Sequence, residues 1–289
     1  MARRFPLHGV AGPLIVAAGL GTTYAHIAPF DGWTTPICWW GYILFADALL
    51  KAVAGRSPLC DARREFFLAW LPLSVVFWLV FEVINLHLEN WYYTGLPKSF
   101  AELALGGVVS FATILPGMFI TSELIRSLGV FRRFRLPPIR VGGAAGVTMA
   151  LAGLAMIMVP VLLPREWARY CFAFVWMGFF FALEPVNFAS GAPSILGDLT
   201  RGKLERFLSL MAGGYVCGLL WELWNWEAAC KWVYCAPFTE DLRYFEMPLA
   251  GFLGFGPFAL EYFVLYRFAR LFVEDGRGPE ETPSEAIAW

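Results

Sequence analysis

LLWELWNWEAACKW, residues 219–232, sets Glu222 and Glu227 inside a run of tryptophan and leucine. Half a chain earlier, FEVINL at 81–86 carries the same order of acid and amide as WELWNW at 221–226. Glu82 matches Glu222 and Asn85 matches Asn225, both 140 residues apart. Upstream, Glu65 matches Glu205 and Phe67 matches Phe207 at the same offset, and Pro97 matches Pro237. Between the acids and the prolines, WYYTGLP and WVYCAP both read Trp-x-Tyr then Pro, with one residue of slippage. Further back the offset is 137, pairing Gly41 with Gly178, Asp47 with Glu184 and Asp61 with Asp198. Self-similarity at a fixed period is the mark of an internal repeat.

The surroundings of these acids are oily throughout. The 289 residues are 58% hydrophobic and only 16% charged, against about 25% charged in soluble domains. A membrane-spanning helix needs roughly 20 apolar residues. Eight stretches qualify: 10–28, 35–54, 66–88, 103–127, 141–163, 168–190, 207–229 and 247–270. They are continuously apolar, not alternating, which favours helices over a barrel. The expected fold is therefore all-α, a polytopic bundle of eight transmembrane helices. The halves 1–131 and 141–272 are two four-helix copies, joined by the basic linker 132–140 and followed by a disordered polar tail, 273–289. Four is an even number, so both copies insert in the same sense, related by a pseudo-twofold axis along the membrane normal. Transporters built from repeats place their sites at the repeat interface.

Lysine and arginine orient the bundle. Of the 22, only Lys98, Arg165, Arg169, Lys231 and Arg243 fall on one side; the rest fall on the other, Arg3, Arg4 and Arg277 among them. This predicts a multi-pass protein of the inner (plasma) membrane with both termini cytoplasmic. The first span also has the make-up of a cleavable signal peptide, but its place in the repeat favours a retained helix.

A charge inside a membrane helix costs at least about 2.5–3.5 kcal/mol on insertion scales, so it usually serves a function. Glu82, Glu184 and Glu222 are each followed three residues later by Asn85, Asn187 and Asn225, a spacing that shares a helix face. At the pseudo-twofold axis Glu82 and Glu222 would meet, with Asn85 and Asn225 orienting them. Two close carboxylates in low dielectric cannot both ionise cheaply, so one holds a proton. The alternative use of such oxygens is to hold a cation, and the bland alternative is helix–helix glue. Asp47, Glu184 and Asn187 lie nearer the cytoplasmic end and would form a second acidic layer, a substrate or ion path. Glu227, Glu246 and Glu261 join that set: Glu246 opens the last span, and Pro257 would kink that span above Glu261. Glu89 and Glu102 lie near the outer surface and Glu123 near the inner one. The glycine pairs 142–143 and 213–214, and Gly251, Gly254 and Gly256, suit close helix contact. Trp91, Tyr92, Tyr93, Trp232, Tyr234 and Tyr244 read as an interfacial aromatic belt.

Other chemistry finds little footing. Near-zero net charge offers nothing to nucleic acid. His8, His26 and His87 make no paired metal motif, so no metal is expected. Nucleotide-binding loops are absent, and no cofactor is indicated. Cys230 and Cys235 could be bridged or free. The order Trp-x-Tyr, Pro, then an acid with Pro at the next helix start resembles small membrane carotenoid-cyclising proteins over about 231–261, with a weaker echo at 91–97. The paired acids after proline that mark that family are absent, since Leu249 follows Pro248. The expected function is an intramembrane enzyme using acid–base chemistry on a lipid or isoprenoid-like small molecule. A proton- or ion-coupled carrier or channel, or a structural subunit of a membrane complex, are the alternatives.

Overall fold

The computed structural model describes residues 5–237 and 242–274. The expected tail beyond 274, and Arg3, Arg4 and Arg277, lie outside the described residues. The chain is mostly helical. α1 (Leu7–Tyr24) is followed by a 3-10 turn (Phe30–Trp33) that runs into α2 (Thr34–Ala54). Short α3 (Pro58–Asp61) and α4 (Arg63–Glu65) lead through a π turn into α5 (Leu71–Leu88). Strand β1 (Trp91–Thr94), α6 (Phe100–Phe111) and α7 (Ile114–Ser127) complete the first half. The second half runs α8 (Gly143–Leu162), α9 (Arg165–Ala168), α10 (Phe172–Ala189), α11 (Ile195–Thr200), α12 (Glu205–Trp226) and β2 (Lys231–Tyr234). A small β3–β4 ribbon (Arg243–Tyr244, Met247–Pro248) and a 3-10 turn precede α13 (Phe255–Glu274).

Seven helical stretches are long and apolar enough to cross a membrane: 30–54, 63–88, 100–127, 143–162, 165–189, 205–226 and 249–273. α1, with 18 residues, lies outside that set and packs along α2.

The helices approach closely where side chains are missing. A Cβ on Gly12 of α1 would strike the main chain of Gly41 and Phe45 on α2, and one on Gly153 of α8 would strike the main chain of Phe181 and Ala182 on α10. α12 slots between α7 and α13 through Gly213, which abuts Ser122, and Gly214, which abuts Phe255 and Ala259. Gly256 likewise seats against Tyr215 and Met211. Gly142, Gly143 and Gly254 differ from expectation: an added Cβ there meets open space. α5 has no such glycines. It meets its neighbours through large rings instead, with Phe81 stacked on Trp176 at 5.1 Å and Trp78 6.0 Å from Phe258.

Two spans depart from the expected continuous helices. The stretch 103–127 breaks at Ala112–Thr113, because Pro116 has no N–H to donate back to Ala112. Ser74 of α5 fills the break, donating to the Phe111 carbonyl and accepting from Leu115 N at 3.0 Å. The last span starts as the β3–β4 ribbon and becomes α-helical only at Phe255. Pro257 therefore sits in the first turn of α13, where a missing N–H costs nothing, and does not kink it.

The basic loops gather at one end. Arg56 and Arg126 pair with Glu123, Arg270 with Glu65, and Arg206 with Asp198. At the same end the inner acids anchor helix starts. Asp47 accepts from Ser57 Oγ, from Leu59 N at 3.1 Å and from His8 at 3.0 Å, while Ser57 caps α3 through Cys60 N. Glu184 accepts from Leu196 N at 2.7 Å, while Ser194 caps α11 through Gly197 N. Asp47, Ser57, Leu59 and Cys60 stand 137 residues before Glu184, Ser194, Leu196 and Gly197. Each acid thus ties a span to the helix that follows its turn. Leucine at either position would strand helix-start N–H groups in a buried setting, at about 1–3 kcal/mol. Thermal unfolding in mild detergent should show Asp47→Leu and Glu184→Leu destabilised by similar amounts; an unchanged midpoint in either would remove the anchoring role.

Candidate functional site

The opposite end carries a two-stranded antiparallel ribbon joining the halves. β1 pairs with β2 in the register Trp91↔Tyr234, Tyr92↔Val233, Tyr93↔Trp232 and Thr94↔Lys231. Side chains alternate on a strand, so Trp91, Tyr93, Trp232 and Tyr234 share one face. Gly95, at φ 69°, ends β1 with its α-carbon against the Ala229 carbonyl, too close for any side chain. Cys235 N donates to Asn90 O at 2.8 Å, and Ala229 N to Asp31 O at 3.2 Å.

The asparagines hold this ribbon. Asn85 accepts from Asn90 N (2.8 Å) and Trp91 N (3.4 Å), and its amide donates to Trp91 O (2.8 Å). Asn225 accepts from Trp232 N (3.0 Å) and donates to Trp232 O (2.8 Å). Their amides bind strand main chain, where the expectation was that they would orient the carboxylates. Asn187 also binds main chain, donating to Val264 O at 3.0 Å.

The acids bind the shared face of the ribbon. Glu82 Oε1 accepts from Trp78 Nε1 (2.8 Å), Trp91 Nε1 (3.2 Å) and the Tyr93 hydroxyl. Glu222 Oε1 accepts from the Tyr234 hydroxyl at 3.2 Å, and Tyr234 in turn accepts from Trp232 Nε1 at 2.9 Å. Each half therefore sets one glutamate behind its own Trp-x-Tyr. No hydrogen bond joins Glu82 to Glu222 directly. Glu222 is fully buried, and its Oε2 has no partner. Burial, then Glu82, holds the Tyr93 phenol well above its ordinary range; burial, then Glu222, does the same for Tyr234. Both phenols stay protonated at neutral pH.

In front of this wall lies a chamber of about 800 Å³. Its lining includes Trp33, Trp39, Trp78, Trp91, Trp176, Trp221 and Trp232, with Tyr93, Tyr234 and Phe258 among them. The two glutamates do not line it; the tyrosines and tryptophans that they hold do. α6 forms part of the chamber wall and buries none of its residues.

The remaining predicted residues fall elsewhere. Asp47 and Glu184 stand at the basic end on helix starts, as described. Glu227 is exposed at the end of α12. Glu246 pairs with Lys231 at 2.5 Å. Glu261 is fully buried on α13 with neither oxygen hydrogen-bonded. Cys230 and Cys235 are free thiols. Tyr93 and Tyr234 were legible as a doubled Trp-x-Tyr but look like belt residues until the ribbon pairs them. No family model, curated protein or solved structure matches the chain.

Proposed function

We propose that this is a multi-pass enzyme of the inner membrane that moves protons on an isoprenoid or lipid held in the aromatic chamber. The observation that carries it is a large apolar cavity whose wall phenols are each backed by an intramembrane glutamate. Three donors on one oxygen of Glu82 suit an acceptor that bears charge. One oxygen of Glu222 buried beyond any donor suits a carboxylic acid. Tyr234 would then pass a proton from Glu222 to one substrate atom, and Tyr93 would take a proton from another and pass its own to Glu82. The substrate gains and loses one proton, so bonds shift with no change in composition. Indole faces around the chamber would stabilise positive charge formed between the two steps.

The proposal includes two tandem copies of a four-helix unit, α1 counted as an eighth span, about an axis through the β1–β2 ribbon. Its support is the doubled acid–cap at offset 137 and a ribbon register that exchanges Trp91 for Tyr234 and Tyr93 for Trp232. The arginine-rich end would face the cytoplasm, with both termini there. A carrier fits less well, because Asp47 and Glu184 already bind helix starts.

The test begins with mass spectrometry of whatever lipid survives gentle purification. Protein in nanodiscs is then given that compound in D₂O, and deuterium entering carbon is counted. Glu222→Gln and Tyr234→Phe should lose label about 10²–10⁴-fold while still binding the compound. Label unchanged in both variants would sink the proposal. So would pH-driven flux in liposomes that vanishes in Asp47→Asn.

A further inference from the structure

The chamber is not uniformly apolar. Thr35 and Trp39 lie one turn apart on α2 and both line it. Positions i and i+4 share a helix face. Trp39 is fully buried and Thr35 is 9% exposed, yet Thr35 Oγ1 and Trp39 Nε1 have no hydrogen-bond partner among the described residues. The Trp39 indole is held rigidly: its ring rests on Gly117 of α7, and it meets Trp221 and Trp224 at 5.0 and 4.9 Å. Asn90, 3% exposed, lines the same chamber with its Oδ1 unbonded, although its amide nitrogen donates to Arg169 O at 2.9 Å.

Buried polar atoms are nearly always paired, and each exception calls for a partner. Phenylalanine at 39 and valine at 35 would fill nearly the same space without that cost. Indole N–H only donates, a threonine hydroxyl does both, and an amide oxygen only accepts. A hydroxyl, which both donates and accepts, complements such a set; a hydrocarbon leaves all three stranded.

We infer that the chamber's occupant is an apolar chain carrying a hydroxyl group, an isoprenoid alcohol in chemical class, whose oxygen binds Thr35 Oγ1 and Trp39 Nε1. This rests on the chamber being the substrate site, and it narrows the substrate to one with a polar terminus. The terminus is anchored on α2, while the chain lies along the Trp and Tyr wall where proton transfer is placed.

Binding of tritiated geranylgeraniol to protein in nanodiscs tests it. The competitors are unlabelled geranylgeraniol and the hydrocarbon of the same carbon skeleton without the oxygen. The alcohol should compete about tenfold better, the worth of one or two hydrogen bonds. Thr35→Val, which conserves shape, should erase most of that preference, and Trp39→Phe the rest, with hydrocarbon competition unchanged. Equal competition by the two compounds in the wild-type protein overturns the inference but leaves the chamber as a hydrocarbon site. Water filling the polar spot would give that same result. If geranylgeraniol does not bind at all, the inference fails and the chamber's role as substrate site fails with it.

Discussion

Replacing Asn85 by leucine will release the ribbon from α5 and open the roof of the chamber. The side chain is buried and holds three main-chain groups: Asn90 N, Trp91 N and Trp91 O. Leucine can satisfy none of them. Each buried group left unpaired costs about 1–3 kcal/mol, so a loss of about 3–5 kcal/mol is expected. Asn225→Leu strands two groups of Trp232 in place of three and should cost somewhat less. The functional effect should exceed the stability effect. Trp91 and Tyr93 are the groups that bring Glu82 to the chamber wall, so a displaced β1 uncouples acid from cavity. SDS-induced unfolding gives the energy; retention of the co-purifying lipid gives the site. A variant that keeps its lipid and its unfolding midpoint would show that the ribbon is held by strand pairing alone.

Gly153→Ala and Gly12→Ala should be nearly as damaging, from a single methyl group. At Gly153 the new carbon meets main-chain atoms of Phe181 and Ala182, and at Gly12 those of Gly41 and Phe45. Backbone cannot rotate out of the way as a side chain can, so the whole helix pair must separate. In a membrane no hydrophobic effect draws helices together, and close packing is the main attraction lost. Overpacking typically costs about 1–3 kcal/mol, and these sites belong at or beyond the upper end. Gly142→Ala and Gly254→Ala serve as controls, because an added carbon there meets nothing within 4 Å. Equal unfolding midpoints for the two sets would mean that the close helix contacts do not stabilise the bundle.

The sequence alone determined what depends on local pattern. Apolar runs marked the long helices, since burial in lipid requires each span to satisfy its own main chain. Fixed offsets of 140 and 137 marked corresponding residues in the two halves, because an equal environment keeps an equal residue type. Offset 137 holds from Asp47 to Cys60, the stretch that folds as one acid-anchored turn. The acids themselves stood out because charge in an apolar run is rare.

Only the tertiary structure decided where those acids point. Glu82 and Glu222 look like cavity residues in one dimension, yet each stands behind an indole and a phenol that reach the cavity in its place. That arrangement needs Trp91 and Tyr93 to pair with Trp232 and Tyr234 across some 140 residues, and no local rule forecasts a partner so distant. The asparagines were misassigned for the same reason, because their partners are main-chain groups of a strand beyond the helix end. Hydropathy reports how costly a residue is to bury; the hydrogen bonds that offset the cost, and the chamber they surround, exist only once distant segments meet.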